Sequence, residues 1–275
     1  MTNDTQRSRG ETWLHALTGN AGAVDGLPQS VRVVDGMLDD MPARFIAVVP
    51  DPENPFPRAR SGETGLLEGW GIARAVRQVV REDKGTPHPR AIVAIVDVPS
   101  QAYGRREEAW GIHQALASAV SAYAEARAAG HSVIALIVGK AMSGGFLAHG
   151  YQANRLIALD DAGVMVHAMG KHAAARVTLR TVEQLEKLAA SVPPMAYDIG
   201  SFDRLGLLWR LLKVSSADTP RPDDVDAVKQ CLRDALADIP GDERRDLSTR
   251  LDRPLRKCSI EVRERLKQQW AAPPS

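Results

Sequence analysis

The chain has 275 residues, 44% hydrophobic and 25% charged, which suffices for one large core with or without an appendage and argues against disorder except at the ends. Lys and Arg number 35 against 34 Asp and Glu, so a net charge of +1 gives no broad field for nucleic acid or an anionic membrane and favours a small or neutral partner. Cys231 and Cys258 each stand alone, without a second Cys or His at metal-ligand spacing, so neither a disulfide framework nor a metal site is expected.

The opening "MTNDTQRSRGE" lacks the apolar core of a signal peptide, and no apolar run approaches the roughly 20 residues that cross a bilayer. The cytoplasm is the default expectation. Residues 1–10 are polar and expected to be loose, followed by a short helix in "ETWLHAL". "VRVVDG" and "ARFIAVVPD" read as two strands joined as a hairpin. The Pro-rich stretch from Pro50 to Arg60, "PDPENPFPRAR", is expected to be irregular, either a mobile flap or a surface that a partner orders.

From Glu63 to Arg81, Leu66, Leu67, Trp70, Ala73, Val76 and Val80 share one side of an amphipathic helix. "AIVAIVD" at 91–97 is a continuous apolar run of buried-strand type, and residues 105–129 fit one long helix with Glu107 and Glu108 in its first turn. The order then repeats: a strand at 132–138, a glycine turn, a short helix to about Ala153, and strands at 155–159 and 164–167. Beyond Pro193-Pro194, "SFDRLGLLWRLLKV" reads as a last core element, and residues 222–270 as helices separated near Pro240 and Pro254. The predicted organisation is a flexible 1–10, a main domain over 11–215 and a helical extension over 216–275 that packs on the same domain or on a partner.

Two strand–loop–helix units in succession place "PSQAYG" and "KAMSGG" on one edge of the sheet, where open α/β folds bind ligands. In "GKAMSGGFLAHG" (139–150) either Ser143 is a nucleophile, or Gly144 and Gly145 present backbone N–H groups to a negative oxygen and Ser143 only shapes the turn. The competing reading of the glycines is close strand–helix packing. Arg105 equally fits a solvated helix start, and His149 a packed or partner-facing histidine.

The loops "DVPSQAYGRREE" (97–108) and "GKAMSGGFLAHGYQANRLIALDDAGVMVHAMGK" (139–171), with "LEKLAASVPPMAYDIGSFDRLGLL" (185–208), resemble the gamma subunit of biotin-independent malonate decarboxylase. More widely they are similar to the carboxyltransferase half of acetyl-CoA carboxylase and to the crotonase superfamily. The resemblance covers roughly residues 10–215. It implies an α/β, crotonase-like (ClpP/crotonase) spiral of repeated β-β-α units, with two roughly perpendicular sheets flanked by helices. It implies partners: a related beta subunit in a heterodimer, an acyl carrier protein subunit and an acyl carrier transferase subunit. No cofactor is expected on this chain and no biotin; the substrate thioester rides on the prosthetic arm of the carrier.

Decarboxylating a malonyl thioester leaves an enolate whose charge sits largely on the thioester oxygen, so the main task is to hold preorganised donors there. Gly144 and Gly145 are the expected donors, with Ser143 and His167 beside them as further catalytic candidates. Gln101, Tyr103, Gly104 and Arg105 offer amide, phenol, backbone and guanidinium donors for the departing carboxylate, and Met142 and His149 complete the candidate substrate-binding set. Tyr103, His149, His167 or a held water would protonate the enolate carbon. The rival reading is a serine hydrolase of the Clp protease type using Ser143 and His167, with Asp160 and Asp161 nearby in sequence. A third is a non-catalytic structural subunit.

Overall fold

The computed structural model describes residues 7–19, 21–241, 246–250 and 254–271. The loose N-terminus expected over 1–10 lies, up to residue 6, outside the described residues. Ser8 already caps helix α1 (Arg9–Thr18), its hydroxyl accepting the Glu11 N–H. Strands β1 (Val31–Leu38) and β2 (Met41–Val48) form the expected antiparallel hairpin, closed by Asp39 in a left-handed conformation at φ 55°.

Helix α2 (Leu66–Glu82) leads into β3 (Ala91–Val98). Its buried face includes Gly69, Ile72, Ala75 and Val79, while Trp70, expected inside, is 51% exposed. The arc is turned because Gly69 lets α2 approach the following long helix closely: a Cβ there would lie 2.6 Å from the Ala115 carbonyl carbon. The single helix expected over 105–129 is two, α3 (Arg105–Ala109) and α4 (Ile112–Ala128), broken at Gly111, whose φ of 82° no α-helix accommodates.

Strand β4 (Val133–Met142) runs four residues past its expected end at 138, because Lys140–Met142 pair with β6 (Met165–His167). Helix α5 (Ser143–Ala148) stops well short of Ala153, and Gly150 at φ 108° turns the chain into β5 (Arg155–Leu159). Helices α6 (Lys171–Val177), α7 (Val182–Ala189) and α8 (Ile199–Arg204) precede β7 (Arg210–Leu212).

The strands form one sheet in the order β1-β2-β3-β4-β5-β7, parallel from β2 onward, with β6 branching from the end of β4. The hydrogen bonding is thus continuous from β1 to β7, and β6 is a branch that the length of β4 makes possible. β3 and β4 are buried almost throughout, which their unbroken Ile/Val/Ala/Leu runs require.

Helix α9 (Pro222–Asp238) puts Val228, Cys231, Leu232, Ala235 and Leu236 into the same core as the sheet, whereas α10 (Lys257–Ala271) buries no residue. Trp13 of α1 ties the segment before α9 to this core by donating its indole N–H to the Ala217 carbonyl at 2.9 Å.

The Pro-rich segment is neither a free flap nor wholly irregular. It contains a short 3-10 turn at Pro57–Ala59, Phe56 is buried, and the fully buried Asn54 donates its amide to Glu68 at 2.8 Å. Glu68 also accepts from the Ser30 hydroxyl and the Gly65 N–H, so one buried carboxylate fastens this loop to the start of α2. No helix among the described residues is long and apolar enough to cross a membrane, and none of their His, Cys, Asp and Glu side chains form a group that could hold a metal.

Candidate functional site

The loop after β3 and the turn after β4 meet as their register demands: Val98 lies opposite Ala141, and the Gly144 N–H donates to the Gln101 Oε1 at 2.8 Å. Gln101 is held by a short ladder that sequence reasoning does not find. Thr64 bridges to it, donating its N–H to Ser100 O at 3.0 Å and accepting the Ala102 N–H at 2.9 Å. The only cue to Thr64 is its position just ahead of an amphipathic helix.

Gly145 is buried against that loop. A Cβ at Gly145 would sit 2.5 Å from Ser100 O and 2.5 Å from Val98 Cγ1, so glycine is what lets the turn and the loop touch. Helix α5 has only six residues, so its dipole adds little at the turn.

Ser143 occupies the left-handed region at φ 58°, a conformation that costs a non-glycine residue about 1–2 kcal/mol. Its hydroxyl does not cap α5; it donates to the Ala168 carbonyl at 2.6 Å, tying the turn to the residue after β6. Ser143, Gly144, Phe146, Leu147, Val166 and His167 line one wall of an apolar cavity of about 380 Å³ closed by Pro193, Pro194, Phe202, Leu205 and Leu207. These last five residues fall in the stretch 185–208 that carries the resemblance, but they come from α8 and its flanks, and nothing in their spacing sets them opposite the glycine turn.

The His167 ring stacks on Tyr197 at 3.9 Å with 13° between the planes, and its Nδ1 lies 3.2 Å from the Met169 N–H and 3.0 Å from the Met169 carbonyl. Partial burial lowers the His167 pKa, which keeps the imidazole neutral at pH 7. The Met169 N–H and the Met169 carbonyl call for opposite tautomers of the ring at Nδ1.

Two expectations for the substrate-binding set, His149 and Met142, need correction. His149 is fully buried beneath α5, its Nδ1 3.1 Å from the Tyr123 hydroxyl and its Nε2 3.0 Å from the Ile95 carbonyl, so it touches no ligand. Desolvation pushes it down to about 4. Met142 is buried in a small cluster with Ala174, Leu185 and Tyr197 and does not line the cavity. Gly104 is buried where a Cβ would strike Glu107 and Arg58. Tyr103 and Arg105 remain exposed beside Gln101, and the neighbouring Glu108 raises the Tyr103 phenol pKa.

No hydrolytic triad is assembled among the described residues. The Ser143 hydroxyl is committed to a backbone carbonyl, the His167 Nδ1 faces Met169 rather than a carboxylate, and Asp161 is bound to Arg9 at 2.7 Å and to the Gly163 N–H. Ser143→Ala is therefore expected to retain turnover within about tenfold of wild type, well short of the roughly four or more decades lost with a nucleophile. Steady-state rates on the reconstituted complex decide this.

The malonate decarboxylase gamma subunit family model matches residues 59–270. The chain is similar to one in a Pseudomonas malonate decarboxylase hetero-tetramer in complex with coenzyme A: 63% identity, TM-score 0.92, covering 96% of this chain and 100% of that one. A Pseudomonas malonate decarboxylase hetero-dimer gives 62% identity and a TM-score of 0.88 over the same shares.

Among curated proteins, a malonyl-S-ACP:biotin-protein carboxyltransferase of Malonomonas rubra is 34% identical over 188 residues, 67% of this chain. The match spans 61% of that relative's length. A transcarboxylase 12S chain, 16% identical with a TM-score of 0.60 over 83% of this chain and 41% of that one, shares the fold alone. The mixed sheet with flanking helices is the α/β crotonase-like architecture of these carboxyltransferases. With a family match from the Pro-rich loop to α10 and relatives above 60% identity over nearly all its length, the chain belongs to the malonate decarboxylase gamma subunit family.

Proposed function

We propose that this chain, joined to a related beta subunit, decarboxylates a malonyl thioester carried on the prosthetic arm of an acyl carrier protein, giving an acetyl thioester and carbon dioxide. The observation that carries the reading is the meeting of the glycine turn with Gln101 through Gly144, which together with Ser143 and His167 lines an apolar cavity. The hetero-dimer and hetero-tetramer of the Pseudomonas relatives support the partner, and the carrier thioester in the Malonomonas relative's name supports the substrate.

The bond between the carboxylate carbon and the α-carbon breaks, its electron pair passes into the enolate, and the thioester oxygen takes the charge. Donors where the glycine turn meets Gln101 stabilise that oxygen. The apolar cavity favours loss of a carboxylate as neutral carbon dioxide, since a firm ionic grip would hold it back. His167, or a water it holds, delivers a proton to the α-carbon and is reprotonated from solvent, and Tyr103 and Arg105 offer donors to the incoming carboxylate. The proton is the electrophile, so biotin has no role, in contrast to the acceptor in the Malonomonas relative's name. An acyl carrier transferase subunit would load and unload the arm.

The test is purification of the tagged chain with its native partners, followed by carbon dioxide release from malonyl thioester. A one-to-one partner of similar size, a small carrier protein and turnover unaffected by avidin are expected. A homo-oligomeric ring lacking decarboxylation would overturn the reading and return Ser143 to the role of a nucleophile. Avidin inhibition would mean transfer to biotin instead.

A further inference from the structure

The Gly144 N–H, which the sequence marks as an oxyanion donor, is already engaged by the Gln101 Oε1 at 2.8 Å. Glycine makes this seat possible: a Cβ on Gly144 would come to 3.2 Å from Oε1 and 3.4 Å from Cδ of Gln101. The backbone of Gln101 is fixed as well, by the Thr64 bridge and by the Tyr103 N–H bonded to the Gln101 carbonyl at 2.9 Å. A carboxamide is planar, so a carbonyl oxygen turned to Gly144 obliges the Nε2 and its two N–H groups to face the other way. Among the described residues Nε2 meets no acceptor and is not buried. A carboxamide whose oxygen accepts a hydrogen bond is polarised, which makes its N–H groups better donors.

We propose that Gln101 is a catalytic residue, its Nε2 donating to the thioester oxygen as the enolate forms, while Gly144 acts as the positioning residue that orients and polarises it. This assignment rests on the decarboxylase reading above. It differs from a donor to the departing carboxylate in a measurable way. A hydrogen bond to the enolate oxygen strengthens as charge arrives and so sets kcat; one to the carboxylate weakens as carbon dioxide leaves and so sets KM.

The test uses the intact heteromeric complex with malonyl thioester, comparing wild type with Gln101→Leu and Gln101→Glu. Native mass and circular dichroism verify that each variant assembles. Both substitutions are expected to lower kcat by about 100-fold, with KM within about threefold. Gln101→Glu keeps an acceptor for the Gly144 N–H but removes the donors. Its kcat should recover relative to wild type as pH falls from about 8 to about 5, when the introduced carboxyl gains a proton and can donate again. A purely structural role would not produce that pH profile.

An active wild type with Gln101→Leu unchanged in kcat, or faster, would overturn the assignment, because Gly144 freed of its plug would then be the direct donor. A rise in KM alone would place Gln101 on the carboxylate instead. A wild-type complex that releases no carbon dioxide overturns the decarboxylase reading, and this assignment with it.

Discussion

Gly145→Val is expected to lower kcat of the reconstituted complex by about two to three decades while leaving the heteromer intact by native mass. The clash is with the Cβ itself, 2.5 Å from both Ser100 O and Val98 Cγ1, so no rotamer relieves it. Because Ser100 immediately precedes Gln101, the backbone that yields is the one that seats the carboxamide against Gly144. A displacement of about 1 Å at such a point costs about a hundredfold in rate, since preorganised donors work only where charge develops. Turnover within about threefold of wild type in an assembled complex would instead make this chain a structural subunit whose companion does the chemistry.

The second large effect concerns stability. His149→Leu is expected to destabilise the fold by about 2–4 kcal/mol in urea or thermal unfolding, because it leaves the buried Tyr123 hydroxyl without its imidazole partner and removes a donor to the Ile95 carbonyl. It should also remove a pH dependence. His149 is held down to about 4 from its ordinary 6.5, so the unfolded chain binds the proton more readily than the folded one. Stability from this group is complete above about 6.5, declines as pH falls, and is fully lost below about 4, a difference of about 3 kcal/mol. Wild type should therefore lose more stability over that window than the variant, in which only the other shifted groups, His167 among them, still contribute. Parallel profiles for the two would contradict the buried neutral imidazole.

Hydropathy alone placed the elements whose character depends on local pattern. The hairpin of β1 and β2, the apolar runs of β3 and β5 and the division of the C-terminal helices near Pro240 are legible because strand period, run length and proline act within a few residues. Boundaries failed where a distant partner intervened. Lys140 to Met142 look like loop until β6 pairs with them, and Trp70 looks like core until Gly69 brings the Ala115 backbone against α2.

The site divides the same way. That a glycine turn and a Gln-containing loop share one sheet edge follows from chain order, because parallel strands present successive loops at the same end. Sequence by itself therefore determined the fold class, the family resemblance and the two loops. Only the tertiary structure decided that the Gly144 N–H faces Gln101, that Ser143 is tied to Ala168, that His149 lies beneath the site and that α8 closes the cavity. The physical reason is that hydrophobic periodicity is written along the chain, whereas a hydrogen-bond partner or a cavity wall is chosen by packing between segments that the sequence sets tens of residues apart.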